Sequence, residues 1–505
     1  MRTRRFGLLA ILALAFASAF PMQVNGWNQN AHYALVRALA DGTARIDVSR
    51  HEIGDLGTGD VATYKGHVYS NKAPGLAFAT MPAYAAVVAV GMRTTGDPTR
   101  VIWALHLWSV TCAFVVLLLL VRWAADRIEP GFGFVAAATL GLGTLVLPFS
   151  TMFFAHVLST TLGFAAFALL LRERLGPPAL AAVACGGILA GLAVTTEYSL
   201  TLIGVVLGVY ALRSRADAVR RGLAYALGVA VGVAPVLGYN AWAFGSPFHS
   251  TYEGNFKPIG GVLGMGTPDF RLLFDVLFSA MGLVTLTPVL VCGVAGAVIA
   301  YRSERRPEAI VVCAVTAVAL AWAACLRFEI TVFGGLGPPR YLIMILPFLA
   351  LGLASAYRRF PMTTVALAAV SAFQMVAITA TNALAAYDGD WIGRARAKNF
   401  TQTALALVGI SGWYAISLFF VAVLVAVVAV VLASARPRVE RLELVVAPAA
   451  LLAWAAIALA AQNPAGLAPG TVYVLVLTLA AGAVSVALAL RGADRPHARP
   501  RDRAA

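Results

Sequence analysis

Between Thr58 and Gly75 the chain reads TGDVATYKGHVYSNKAPG, gathering a carboxylate (Asp60), an imidazole (His67), two phenols (Tyr64, Tyr69) and an ammonium (Lys72). A carboxylate and an imidazole can take and return a proton. A lysine fixed by the Ala-Pro-Gly turn that follows it can grip phosphate oxygens as a point charge; alternatively it snorkels its charge to a membrane surface. Asp60 follows Gly59 and is either a base or the side chain of an Asx turn. The block closes the longest polar stretch of the protein, about Trp27 to Asn71, which also carries Asp41, Asp47, Glu52, Asp55, His32 and His51.

A second group of chemically able residues is scattered among apolar ones, where an ionisable side chain is costly and marks a site or a buried partner. Arg340 follows the stiff Gly335-Leu-Gly-Pro-Pro339 and either faces a phosphate or anchors a head-group region. Glu197 stands between two short apolar runs, and His156 follows Phe153-Phe-Ala155. Tyr252 and Glu253, in a polar connection, can reach a sugar or simply belong to the loop. The five cysteines (Cys112, Cys185, Cys292, Cys313, Cys325) lie inside apolar runs with no C-x-x-C pair, so neither a disulfide framework nor a zinc site is expected.

What must hold these residues is a membrane protein. Of 505 residues 60% are apolar and 12% charged, against roughly 45–50% and 25% in a soluble domain. The fold class is all-α and polytopic, with about 14 transmembrane helices (12–15) and a long outer first loop at 26–72. An apolar run from Phe6 to Phe20, after Arg2, Arg4 and Arg5, is a first span or a cleaved signal peptide. Further apolar stretches fall at about 73–92, 101–121, 132–148, 150–171, 179–196, 198–212, 222–242, 276–300, 309–326, 341–356, 361–381, 411–433, 443–461 and 471–490.

The net charge of +15 is not a nucleic-acid stripe, because it sits in short clusters between these runs. Arginines at 213–221, 302–306, 358–359, 436–441 and in the tail 491–503 mark the cytoplasmic side. Outside loops then fall at about 243–275, 327–340, 382–410 and 462–470. Before residue 213 the parity fails by one, so one stretch is re-entrant or fused; the short pieces within 132–171 and 179–212 are the first suspects. Arg394, Arg396 and Lys398 break the charge rule in an outside loop, as an interfacial stretch or a phosphate-facing patch. The segments are 1–410, an added pair of helices within 411–490, and a basic cytoplasmic tail, 491–505.

The order of these features resembles the GT-C fold polyprenyl-phosphate-sugar-dependent glycosyltransferases, which include protein O-mannosyltransferases and lipid A aminoarabinose transferases. The likeness covers about residues 1–410. It rests on one basic-start span, a long acid- and aromatic-rich loop, Lys72-Ala-Pro-Gly75 leading to Pro82-Ala-Tyr84, the Gly-rich run Gly186 to Tyr198, Tyr239 to Phe248, and Gly337-Pro-Pro-Arg-Tyr-Leu342. The sequence departs from the family where an early acid belongs: Trp27-Asn-Gln-Asn-Ala-His-Tyr33 offers amides.

The resemblance implies sugar transfer from a polyprenyl-phosphate-linked donor to an envelope glycan, glycolipid or protein acceptor, at the outer face of the plasma (inner) membrane. An acceptor hydroxyl attacks the anomeric carbon, which needs a base and cations for the departing phosphate. Asp60 is the expected base, with Asp55 or His67 as substitutes. Lys72 and Arg340 hold the phosphate, and Tyr64, Tyr69, His156, Glu197, Tyr252 and Glu253 face the substrate. No cofactor is fixed; a divalent metal (Mg or Mn) is left open, with no ligand pair in the first loop and Asp388-Gly-Asp390 more structural than ligating. A lipid-linked-sugar transporter or flippase and a non-catalytic envelope scaffold are the rival readings.

Overall fold

The computed structural model describes residues 2–23, 26–53, 57–213, 217–253, 266–326, 338–381, 383–384, 391–435, 437–461 and 471–493. In lipid a backbone has no partner but itself, so spanning segments become helices. The described chain is helical apart from turns, a hairpin and a two-residue strand pairing. Among the described residues eight helices are long and apolar enough to cross a bilayer, and a ninth counts if Phe270–Leu286 and Val289–Tyr301, bent by 86° at their junction, are one span. Five more apolar helices are shorter: Gly75–Ala89, Gly133–Gly143, Leu180–Thr196, Tyr198–Leu212 and Val472–Ala487. The expected 14 spans are therefore not met by full-length helices among these residues. Breaks such as Thr144, Glu197 and Thr287-Pro288 divide the apolar stretches into pieces.

Sidedness follows the arginines. Arginines meet acids from other segments at one face: Arg221 with Glu173, Arg174 with Glu308, Arg358 with Glu129, and Arg359 with Glu440. The Arg221 guanidinium and Glu173 carboxylate are sealed from solvent, form two bonds of 2.9 Å, and Arg221 Nε also donates to Ala211 O. These contacts tie the Arg-rich ends of Ala155–Leu175, Thr201–Arg213 and Ala218–Phe244 together.

The stretch that breaks the parity is 73–92, not the suspected pieces within 132–171 and 179–212. Its helix, Gly75–Ala89, is 15 residues long with Pro82 inside. The chain beyond it returns to the first loop: Gly96 N donates to Glu52 O, and Tyr33 OH to Thr94 O. Both ends of the helix thus lie on the face opposite the arginines, and Lys72 leads into an interfacial helix rather than a span.

The first loop is itself folded. Trp27–Ala40 forms a helix, and Val61–Tyr64 pairs antiparallel with His67–Ser70 around Lys65-Gly66, both with positive φ (49° and 81°) as a tight two-residue hairpin turn requires. The hairpin is pinned by Asp47, whose carboxylate accepts from Val68 N at 2.8 Å. Through Tyr64 and Tyr69 the hairpin also meets the end of the helix Ala218–Phe244. That helix packs backbone to backbone on Leu180–Thr196 through Gly187, Gly191, Gly228 and Gly232; a Cβ on Gly228 would lie 2.1 Å from Ala184 O.

The helices past residue 436 are not free-standing. Glu443, fully buried, accepts from Met362 N at 2.7 Å and from Thr363 N and Oγ1 at 3.3 and 3.0 Å, capping the helix Pro361–Thr381. Trp454 Nε1 donates to Thr285 O beside Gln374, which donates to the same carbonyl.

Candidate active site

The hairpin register makes the first contact of the site. Pairing of Val61 with Ser70 brings the residues flanking the strands together: Asn71 N donates to Asp60 O at 3.3 Å, and Lys72 Nζ lies 2.8 Å from Asp60 Oδ2. Beneath this pair stands His32, on the helix Trp27–Ala40 and 2% exposed. The amides that replace the expected early acid brace this helix. Gln29 Oε1 accepts from Phe153 N at 2.8 Å, and Asn30 Nδ2 donates to Gly57 O at 2.7 Å.

Phe153 belongs to an irregular turn, after which Phe154 is extended and the helix Ala155–Leu175 begins. His156 is therefore presented at that helix's first turn, with Nδ1 3.5 Å from Glu197 Oε2. Glu197 occupies the extended break between Leu180–Thr196 and Tyr198–Leu200, outside both helices. Arg340 and Tyr341 come from the turn Pro338–Ile345; Arg340 Nη2 donates to Tyr341 OH at 3.1 Å, and the Tyr341 ring stands 6.1 Å from that of His156. Tyr252 closes the cluster against Tyr198, ring centroids 5.4 Å apart, while Thr251 Oγ1 donates to Asn71 O.

The charges bias one another. Burial alone would raise the Asp60 carboxyl, but the Lys72 ammonium and its hydrogen bond, with Arg340 and His32 nearby, hold it below the usual carboxylate range. Burial and the Lys72 charge push the His32 imidazole down to about 3, so it is neutral. Burial pushes Glu197 up to about 7 despite the opposing pull of Lys72 and Arg340. The result is a water-poor site with two fixed cations, one ionised carboxylate, one that titrates near neutrality, and at least one neutral imidazole.

The structure brings Asp60, Lys72, His156, Glu197, Tyr252 and Arg340 into this cluster. It leaves other expected residues outside it. Tyr64 and Tyr69 pack on Phe244 and, for Tyr64, His249, with Tyr64 OH donating to Phe244 O; they fasten the hairpin. His67 pairs with Asp47 at the hairpin's turn end, and Glu253 with His249 at 3.2 Å while accepting from Ser250 N. Asp55, Asp388 and Asp390 lie outside the described residues. His32, Tyr198 and Tyr341 were not expected at the site. His32 had a signal: it follows Asn28 by four residues on one helix face. Tyr341 adjoins Arg340, but only the fold reveals its contact with His156.

Among the described residues no group of three His, Cys, Asp or Glu side chains could hold a metal ion. With Asp60 engaged by Lys72, the described donors at the site do not fit a divalent ion.

No protein-family model and no curated protein sequence matches the chain. Among solved structures the chain is similar to ArnT from Cupriavidus metallidurans bound to undecaprenyl phosphate, at 18% identity and a TM-score of 0.48 over 91% of this chain and 80% of that one. It is also similar to the Archaeoglobus fulgidus oligosaccharyltransferase tethered to an acceptor peptide, at 14% identity and a TM-score of 0.48 over 87% of this chain and 56% of that one. The same archaeal enzyme crystallised with Zn and sulfate gives 15% identity and a TM-score of 0.47, over 79% and 53%. This chain spans just over half of the oligosaccharyltransferase.

The Glu197 shift has a measurable consequence. A carboxyl whose folded value is raised from 4.5 to about 7 leaves stability intact below about pH 4.5 and removes it as pH rises through 7. The loss is on the order of 3 kcal/mol. Melting of the purified protein in nanodiscs between pH 5 and 8.5 is expected to show this decline, and Glu197→Gln to flatten it. An equal slope in both proteins would refute it.

Proposed function

We propose that this protein is a membrane glycosyltransferase that moves a sugar from a polyprenyl-phosphate-linked donor to an envelope, lipid or protein acceptor. The observation that carries this reading is the convergence of the Lys72 and Arg340 charges on Asp60, His156 and Glu197. The reading puts the cluster on the extracytoplasmic side of the plasma (inner) membrane; its place opposite the arginines supports this. Lys72 and Arg340 hold the donor phosphate; the turn Pro338–Ile345 gives the guanidinium a stiff base. Asp60 was expected as the base, and its pairing with Lys72 supports a holding role instead. Tyr252 and Glu197 line the space for the sugar.

As the acceptor oxygen bonds to the anomeric carbon, the bond from that carbon to the phosphate oxygen breaks, and the leaving phosphate keeps the electron pair. Two cations already in place stabilise that charge without reorganising. A transporter would need its polar partners near mid-span, whereas these side chains gather at the helix ends.

The test is transfer of radiolabelled sugar from a panel of polyprenyl-phosphate sugars by the purified protein in nanodiscs, beside the same protein in sealed vesicles. Labelled product that needs Lys72 supports the reading. Movement of an intact donor across the vesicle bilayer, without product, would replace it by transport. Failure to bind any member of the panel would leave the scaffold.

A further inference from the structure

We propose that His156 is the group that takes the acceptor's proton and that Glu197 is the positioning residue that sets its tautomer; this rests on the transferase reading above. Three groups at the site compete for the role. Asp60 is committed to Lys72 at 2.8 Å, so protonating it would release the cation that the leaving phosphate needs. His32 is buried, and no ion pair joins it to a carboxylate among the described residues.

His156 differs from both. Its Nδ1 faces the Glu197 carboxylate at 3.5 Å, and its Nε2 is buried with no hydrogen-bond partner among the described residues. The side chain is 10% exposed, and the rings of Phe149, Phe154 and Tyr341, with centroids 5.6, 5.9 and 6.1 Å away, fix its plane. A carboxylate on one nitrogen and a bare second nitrogen is the arrangement that makes imidazole a directed base. The 3.5 Å gap is of the kind that closes when substrate is bound.

The groups facing the pair are Lys72, Arg340, His32, Tyr252, Tyr198 and Tyr341. Among the described residues these include no carboxylate competing with Glu197, Asp60 being paired with Lys72. With Glu197 ionised, the ring proton stays on Nδ1 and the Nε2 lone pair accepts the hydroxyl proton. The new oxygen–carbon bond forms as the carbon–phosphate-oxygen bond breaks. The products are glycosylated acceptor, polyprenyl phosphate and a His156 imidazolium opposite Glu197. With Glu197 protonated, its O–H would occupy Nδ1, Nε2 would carry the ring proton, and no base would remain.

The experiment is 15N NMR of histidine-labelled full-length protein in nanodiscs at pH 8, with undecaprenyl phosphate as probe and His156 assigned by its loss in His156→Gln. The expected spectrum shows a protonated Nδ1 and a bare Nε2, with and without the probe. Glu197→Gln, which keeps the shape but not the charge, shifts the population toward protonated Nε2 while binding of the probe persists. A wild-type His156 protonated on Nε2, or on both nitrogens, would overturn the proposal. An unchanged tautomer in Glu197→Gln would overturn Glu197's part in it. Failure of the wild type to bind undecaprenyl phosphate sinks the transferase reading instead, and with it the step assigned to His156. Where the donor panel yields product, His156→Gln is expected to lower turnover by about 10²–10⁴-fold with donor affinity retained; full turnover would overturn the assignment.

Discussion

Lys72→Met is expected to weaken binding of undecaprenyl phosphate by about 100-fold or more. The Lys72 ammonium is mostly buried, its side chain 18% exposed, and it shares the site with the Arg340 guanidinium. A phosphate that loses such a partner keeps its desolvation cost without the compensating charge-assisted bond. The same substitution strands the Asp60 carboxylate, 26% exposed, so the protein should also lose about 2–3 kcal/mol of stability, less than a fully sealed pair would cost. These two effects separate in a second variant. Lys72→Met with Asp60→Asn should recover most of the stability, because no unpaired charge remains, yet still bind the lipid phosphate poorly. Titration of the probe and thermal melting on both proteins check this, and near-normal affinity in the double variant would show that Lys72 serves only Asp60.

Arg221→Met is expected to cost about 3–5 kcal/mol, the largest stability effect of any single substitution considered. It takes from Glu173, whose side chain is 0% exposed, the two bonds from Arg221, and removes the Nε donor to Ala211 O. Adding Glu173→Leu should restore most of the loss, since removing both charges removes the desolvation cost that the pair was offsetting. The pair lies at the Arg-rich end of the helices, away from the site. Whatever fraction stays folded should therefore bind undecaprenyl phosphate with unchanged affinity. Melting and binding measured on one preparation test both statements; a lost affinity at preserved melting temperature would mean that the two faces are coupled.

Much of the architecture was legible because bilayer physics leaves marks on composition. Apolar runs became helices, and Arg221, Arg358 and Arg359 of the arginine clusters found acids from other segments, since crossing cations are expensive. Lys72 and Arg340 stood out for the same reason: each is a charge at an apolar boundary beside residues that stiffen the backbone. Glu197 and His156 stood out as ionisable groups among apolar neighbours.

Tertiary structure decided what pattern alone left open. Whether Gly75–Ala89 crosses depends on where its far end hydrogen-bonds, and Gly96 and Thr94 return to the first loop. Tyr64, Tyr69 and His67 have the residue types of a sugar site, but hairpin register turned them to Phe244, His249 and Asp47. Asp60 looked like a base until that same register set Lys72 against it. The approach of His156 to Glu197 joins residues 41 positions apart across two helix breaks. Hydropathy and charge report one-dimensional costs of leaving water, which each residue bears alone; which partners meet is fixed only when helices pack, and the chemistry of the site resides in those meetings.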